Sequence, residues 1–344
     1  MNEAPRTPAP AAPAAPGGRP RYLFIRVLEA CNADCFMCEF ARSRDGYRFS
    51  AADMRDTVAQ AWPLGVRVVR FTGGEPLLHQ DVTELVRIGA HAGMAMSIIT
   101  NGHRLPRLAG PLAEAGLAQI IVSLDGAGPR THDVYRGTPG LFESAVEGLR
   151  RCRELGVLPR VNTVVGPHNY AQMPQLQRLL EDIGVEQWEL SAIKLDRTVR
   201  YPDPDDVTAR CEPLYDGSRP GALRPLGRRF YGDTDAERSA YFDGGVTPRA
   251  EGPACHVTDD VVYLDPKQGR QFACSCLPHR DPDERGSGRA TDASGRIWLD
   301  QPSFRTHRAH FRAAGPLSCT GCSTTAAGYS DDIARLGTAA NWSY

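Results

Sequence analysis

Three thiols fall within eight residues, Cys31, Cys35 and Cys38, at the spacing C-x3-C-x2-C. Soft ligands this close together suit an iron–sulfur cluster. Three thiolates on a [4Fe–4S] cluster leave one iron without a protein ligand, and an open iron can do chemistry as well as carry electrons. A structural zinc site asks for four ligands, and no fourth Cys or His lies nearby in the chain.

The chain has ten cysteines. A chain of 344 residues has no need of a mini-protein disulfide framework. A second group, Cys255, Cys274, Cys276, Cys319 and Cys322, clusters towards the end of the chain, which also argues for metal. Four thiolates can hold every iron of one cluster, or a zinc ion in a ribbon. Cys152 falls in a helical stretch and reads as core, and Cys211 has no evident partner.

The elements that position these thiols follow from periodicity. Short β-branched runs alternate with amphipathic stretches from residue 22 to 194. Strands are expected at 22–28, 66–72, 96–100, 118–124, 160–165 and 187–194. Helices are expected at about 50–62, opened by a capping box at Ser50, and at 81–92, 111–115, 141–155 and 171–182. Six such units predict a parallel, right-handed α/β architecture. They are too few for a closed eight-stranded barrel, so an open partial (β/α)6 barrel is expected. Ligands of such a sheet sit at the carboxyl ends of its strands, where the Cys31 loop begins.

Residues 1–20 are Ala/Pro-rich and read as a disordered, extended tail with no signal-peptide pattern. Residues 195–253 lack a clean period and read as a substrate-covering insertion or a linker. Residues 254–344 read as a small auxiliary iron–sulfur module that opens with a hairpin at 261–274. The net charge of −1 and the scattered basic residues argue against nucleic acid, and no apolar run is long enough to span a membrane. Iron–sulfur chemistry without a secretion signal predicts a cytoplasmic protein.

Directly after the second strand comes Phe71-Thr72-Gly73-Gly74-Glu75-Pro76. Paired glycines at a strand end permit close backbone approach, although Gly-Gly-Glu-Pro alone is often only a turn. Downstream of the cysteine triplet it becomes specific. Together these residues resemble the radical S-adenosylmethionine (SAM) superfamily. The resemblance implies a SAM-binding [4Fe–4S] cluster on Cys31, Cys35 and Cys38, with Phe36 beside the adenine. It implies that Gly73, Gly74, Glu75 and Pro76 meet the methionine amino group. Asn101, in Thr100-Asn101-Gly102, ends the third strand as in the family. Ser123 and Asp125, in Val122-Ser123-Leu124-Asp125-Gly126, are implied contacts to the methionine carboxylate or ribose. His132-Asp133 and Tyr135-Arg136-Gly137 complete that region. Cys255, Gly269 and Cys274 are spaced like the hairpin of the family's auxiliary-cluster modules. With Cys319 and Cys322 they imply a second [4Fe–4S] cluster in a single-cluster, twitch-like module.

The family's chemistry is reductive cleavage of S-adenosylmethionine and hydrogen-atom abstraction from an unactivated C–H. It implies an electron donor such as a flavodoxin or ferredoxin and a small sugar or nucleoside substrate. Size, the cysteine and Gly-Gly-Glu-Pro arrangement, and the Pro/Arg-rich composition resemble the branch that decarboxylates a hexuronic-acid nucleoside (cytosylglucuronic acid) in nucleoside-antibiotic biosynthesis. A substrate carboxylate would ask for an arginine, with Arg136, Arg160, Arg228 and Arg229 as candidates. Two alternatives stand beside it. One is a radical dehydrogenase of an aminocyclitol or sugar alcohol, and the other is a non-catalytic iron–sulfur electron carrier.

Overall fold

The computed structural model describes residues 20–193, 195, 199–216, 219, 221–227, 229–244, 260–274, 287–299 and 305. The N-terminal tail and Cys255, Cys276, Cys319 and Cys322 therefore lie outside the described residues.

The strands are β1 (Tyr22–Leu28), β2 (Val68–Gly73), β3 (Ala95–Thr100), β4 (Leu117–Ser123), β5 (Leu158–Val165), β6 (Gln187–Ala192), β7 (Pro225–Leu226), β8 (Val261–Asp265), β9 (Arg270–Phe272) and β10 (Ser287–Arg289). The helices are α1 (Ala51–Leu64), α2 (Val82–His91), α3 (Leu105–Glu114), α4 (Pro129–Arg136), α5 (Leu141–Glu154), α6 (Met173–Ile183), α7 (Pro204–Cys211) and α8 (Asp235–Phe242). All described strands join one sheet in the order β10-β9-β8-β1-β2-β3-β4-β5-β6-β7. Pairing is parallel from β8 through β7. Only β9 and β10 run antiparallel. The expected α/β class with its six strand–helix units is present.

One face of the sheet packs on helices. Leu23, Ile25 and Val27 of β1, Phe71 of β2 and Trp188 of β6 share a core with Leu85, Leu112, Leu149 and Leu180 of the helices. Each such side chain stabilises the fold by about 1.5–3 kcal/mol on burial. The opposite face differs. Tyr22, Phe24, Val68, Val261, Tyr263 and Phe272 form a second cluster that contains no helical residue. Beside it runs a polar row: Arg70 donates to Ser97 Oγ (3.2 Å) and Gln119 Oε1 (2.9 Å), and Gln119 donates to Gln187 (3.0 Å). Arg160 pairs with Glu189 at 2.6 Å and donates to Asn162 at 3.2 Å. Arg70 and Arg160 are almost fully buried on the face opposite the core helices, as side chains on the inner face of a curled, partial-barrel sheet are.

Two elements depart from expectation, and a third gains a partner. The short helix expected at 111–115 is α3, Leu105–Glu114. Pro106 suits its first turn and Pro111 sits inside it, so the helix begins about a turn and a half earlier than expected. The stretch after β4 is helical (α4), opened by Pro129 and closed by Gly137 at φ 61°. The hairpin expected at 261–274 is β8 and β9, and β8 lies parallel to β1, with Tyr22 opposite Val261.

Tyr201 and Tyr241, from the segment after β6, pack at the carboxyl ends of β5 and β6. Tyr201 donates to Val165 O (3.2 Å), and Tyr241 to Ile193 O (3.4 Å).

Candidate functional site

The Cys31 loop leaves the carboxyl end of β1 and folds back on itself. Cys31 N donates to Ser43 O (2.9 Å), Arg42 N to Ala33 O (2.9 Å), and Cys38 N to Cys35 O (3.1 Å). Arg42, at φ 52°, is the one described non-glycine residue with a left-handed backbone, a conformation that costs roughly 1–2 kcal/mol. Cys31 is half-buried, Cys35 buried and Cys38 exposed, and all three are free thiols. Burial pushes the Cys31 thiol up to about 11, and nearby Glu75, Cys35 and Cys38 push it the same way. Burial likewise raises Cys35, whose sulfur lies 3.9 Å from the Arg136 guanidinium. Among the described residues no three His, Cys, Asp or Glu side chains converge on a single ion. Three neighbouring thiols, one of them exposed, fit a wider cuboidal cluster approached from solvent.

Gly73 and Gly74 explain how the loop seats. Gly73 has φ 146°, and a Cβ there would stand 2.1 Å from Leu28 O. A Cβ on Gly74 would stand 2.3 Å from the carbonyl oxygens of both Glu29 and Ala30. The sequence suggested that these glycines admit a ligand. In the fold they admit the protein's own backbone where β1 turns into the cysteine loop. Gly74 N donates to Leu28 O (3.1 Å) and Glu75 N to Ala30 O (2.8 Å).

Glu75 is fully buried and ties three segments together. Its carboxylate accepts from Thr100 Oγ1 (2.6 Å), Asn101 N (2.7 Å) and Leu77 N (2.9 Å). Burial pushes the carboxyl above its usual range, and these donors hold part of that back. Asn101 Nδ2 then donates to Asn32 Oδ1 (2.9 Å), inside the cysteine loop. Pro76 starts a single 3₁₀ turn, Pro76–Leu78.

The β4 end contributes Ser123, in register with Asn162 of β5, and Asp125. Asp125 is buried, with one oxygen on Arg136 Nε (2.5 Å) and the other on Val164 N (2.8 Å). Its backbone N donates to His132 Nδ1 (3.0 Å). Phe36 is 55% exposed, so its ring is available at the mouth. It meets Tyr135 edge-on at 5.1 Å and His168 at 6.2 Å. Tyr135 Oη is buried and has no hydrogen-bond partner among the described residues. The stacking role of Tyr135 and His168 had no local sequence signal, because the three rings come from separate segments.

Phe36, residues 73–76, Asn101, Ser123 and Asp125 thus all lie at strand carboxyl ends around the cysteine loop. Cys274, past β9, is buried with Tyr22 and Phe24 on the helix-free face. Cys152 and Cys211 are buried in the main core. Each described arginine candidate already has a carboxylate: Arg136 has Asp125, Arg160 has Glu189, and Arg229 has Glu212. Arg228 lies outside the described residues. Among the described residues, no helix is long and apolar enough to cross a membrane.

Residues 25–180 match the Radical SAM superfamily. An AdoMet-dependent heme synthase from Methanosarcina barkeri (strain Fusaro / DSM 804) is 30% identical over 192 residues, 55% of this chain and 54% of that protein. A probable GTP 3',8-cyclase from Sulfolobus acidocaldarius is 35% identical over 150 residues, 43% of this chain and 48% of that protein. The chain thus spans about half the length of these relatives. In fold it is similar to SuiB from Streptococcus suis bound to S-adenosylmethionine, with a TM-score of 0.65 at 18% identity, covering 85% of this chain and 68% of SuiB. It is also similar to anSMEcpe with bound AdoMet, with a TM-score of 0.59 at 15% identity over 90% of this chain and 88% of the other. The cysteine loop, the glycine pair that seats it and the buried Glu75 all fall inside the span, residues 25–180, that matches the Radical SAM superfamily.

Proposed function

We propose that the chain is a radical SAM enzyme that decarboxylates a hexuronic-acid nucleoside of the cytosylglucuronic-acid type. The observation that carries the enzyme reading is the convergence of Cys31, Cys35 and Cys38 with Glu75 and Asn101 at the strand ends. When bound there, the [4Fe–4S] cluster and S-adenosylmethionine supply a 5′-deoxyadenosyl radical that abstracts hydrogen. The protein's own residues hold and orient. Cys31, Cys35 and Cys38 hold the cluster, and residues 73–76 with Asn101 form the wall that the methionine end faces. Phe36 offers an exposed ring to the adenine, and Ser123 offers a hydroxyl beside it. Asp125 acts through Arg136.

The substrate reading rests on the sequence resemblance and on the polar row beneath the mouth. Ser123, Asn162 and Glu189 form a register row across β4, β5 and β6. Such a row suits a hydroxyl-rich ring better than an apolar one. The radical would form on the ring carbon next to the one bearing the carboxylate; loss of CO2 would leave a ring radical that one electron and one proton convert to product, with the abstracted hydrogen left on 5′-deoxyadenosine. Cys255, Cys274, Cys319 and Cys322 are proposed to hold an auxiliary cluster that takes up and returns the electron. A flavodoxin or ferredoxin is proposed as the electron donor.

One observation favours a second reading, dehydrogenation of an aminocyclitol or sugar alcohol. Arg136, Arg160 and Arg229 are already neutralised by internal carboxylates, which suits a substrate without a carboxylate.

Turnover of ring-deuterated cytosylglucuronic acid by the anaerobically reconstituted protein separates the readings. Decarboxylation predicts deuterium in 5′-deoxyadenosine and a product lighter by CO2. Loss of two hydrogens from a cyclitol substrate moves the assignment to the dehydrogenase. No label transfer from any ring position overturns the decarboxylase.

A further inference from the structure

We infer that Arg136 is a positioning residue that sets the reduction potential of the cluster held by Cys31, Cys35 and Cys38, through a guanidinium aimed at the Cys35 sulfur. This inference rests on the cluster reading above.

The contact is built from both the chain and the side chain. Arg136 Nη1 lies 3.9 Å from Cys35 Sγ. The guanidinium cannot swing away, because its Nε is held by Asp125 at 2.5 Å. Asp125 is itself fully buried and pinned by the Val164 amide at 2.8 Å. From the other side, the Arg136 carbonyl accepts from Asp34 N (3.1 Å), the residue before Cys35. Gly137 comes so close that a Cβ there would stand 2.4 Å from Asp34 O. The α4 terminus is thus docked on the cysteine loop where the Arg136 guanidinium reaches the Cys35 sulfur.

The chemistry follows from charge. Reducing a thiolate-ligated cluster adds negative charge that spreads onto its sulfurs. A fixed N–H donor and cation stabilise the reduced form more than the oxidised one and so raise the potential. Asp125 takes the Nε edge of the guanidinium, and Nη1 is the end that faces Cys35 Sγ. An iron–sulfur centre that must pass an electron to S-adenosylmethionine depends on this balance. Too negative a potential starves it of electrons from its donor.

The test is an EPR-monitored redox titration of anaerobically reconstituted native protein, R136Q and R136K, with iron and sulfide counted in each. R136Q is expected to titrate at a more negative midpoint than native, with R136K between them, since lysine keeps the charge and loses the planar fork. R136Q with a full cluster and the native midpoint overturns the proposal. Where R136Q does not retain iron, R136K decides alone: a negative shift supports the role and the native midpoint overturns it. Loss of iron in both variants assigns Arg136 to holding the loop and also overturns it. A native protein that takes up no cluster would sink the radical SAM reading itself, whereas a normal cluster with an unmoved midpoint sinks only this role.

Discussion

The Lys267 ammonium stands 2.7 Å from the Asp45 carboxylate, 222 residues away in sequence. Lys267 also pairs with Glu29. Glu29 and Asp45 flank the cysteine loop, so the turn of the β8–β9 hairpin grips that loop at both ends. Beneath it Arg26 bonds Asp265 (2.7 Å) and Glu29 (3.3 Å), with its guanidinium over the Phe40 ring at 4.9 Å. The outer pairs are solvated and contribute little to global stability. K267Q should therefore melt near the native temperature yet retain less iron after gel filtration of the reconstituted protein. R26M should be far worse, because it leaves Asp265 buried and poorly paired, at a cost of about 3–5 kcal/mol. Equal iron retention in native protein and K267Q would contradict the grip.

Gly74 makes a sharper steric test. A Cβ at Gly74 meets backbone oxygens that cannot rotate away, whereas Gly46 has nothing within 4 Å. G74A should lose about 1–3 kcal/mol in urea unfolding and most of its iron, by overpacking against residues 29 and 30. G46A should match native protein in both measurements. A G74A protein with native stability and full iron would show that the loop seats differently.

His132 predicts a pH dependence. Burial pushes this imidazole down to about 4, and its Nδ1 accepts the Asp125 amide at 3.0 Å. Its Nε2 is buried without a partner among the described residues. An unfolded histidine titrates near 6.5, so between about 4 and 6.5 the unfolded chain binds the extra proton. The stabilisation is complete above about 6.5 and is lost as pH falls towards 4, amounting to roughly 3 kcal/mol at full extent. H132N keeps an acceptor for the Asp125 amide and cannot charge. Its urea midpoint should fall less steeply than that of native protein from pH 7 to pH 5. Parallel pH profiles would contradict this.

Phe36 predicts a binding defect without a folding defect. Its ring is mostly exposed and touches Tyr135 only edge-on. F36A should keep native stability and iron content and bind S-adenosylmethionine up to about tenfold more weakly, the value of one aromatic contact. Unchanged affinity in calorimetry would remove Phe36 from the adenine site.

Local signals were legible in the sequence, and long-range closures were not. The spacing of Cys31, Cys35 and Cys38 and the Gly73-Gly74-Glu75-Pro76 run declare themselves because their chemistry is contained within a few residues. Ser50 and Gly65 mark the ends of α1 by the ordinary capping rules. The use of Glu75 by Thr100 and Asn101, and of Asn32 by Asn101, depends on β1, β2 and β3 ending side by side, which no short window encodes. The pairing of β8 with β1 was hidden for the same reason. The hairpin itself was visible, but a strand buried on both faces reads alike whichever neighbour it takes. Arg136 stands out in the sequence within the Tyr135-Arg136-Gly137 run and among several candidate arginines, but its orientation does not, because that is imposed by Asp125 and by the α4 helix between Pro129 and Gly137.

The central claim, that the cysteine loop carries a catalytic cluster, is tested most directly by S-adenosylmethionine cleavage. Anaerobically reconstituted protein, reduced with dithionite, is incubated with S-adenosylmethionine, and 5′-deoxyadenosine is quantified by mass spectrometry. Native protein should produce it, and C31A, C35A and C38A should each produce none. No cleavage by fully loaded native protein, or full cleavage by any one of the three variants, would contradict the assignment.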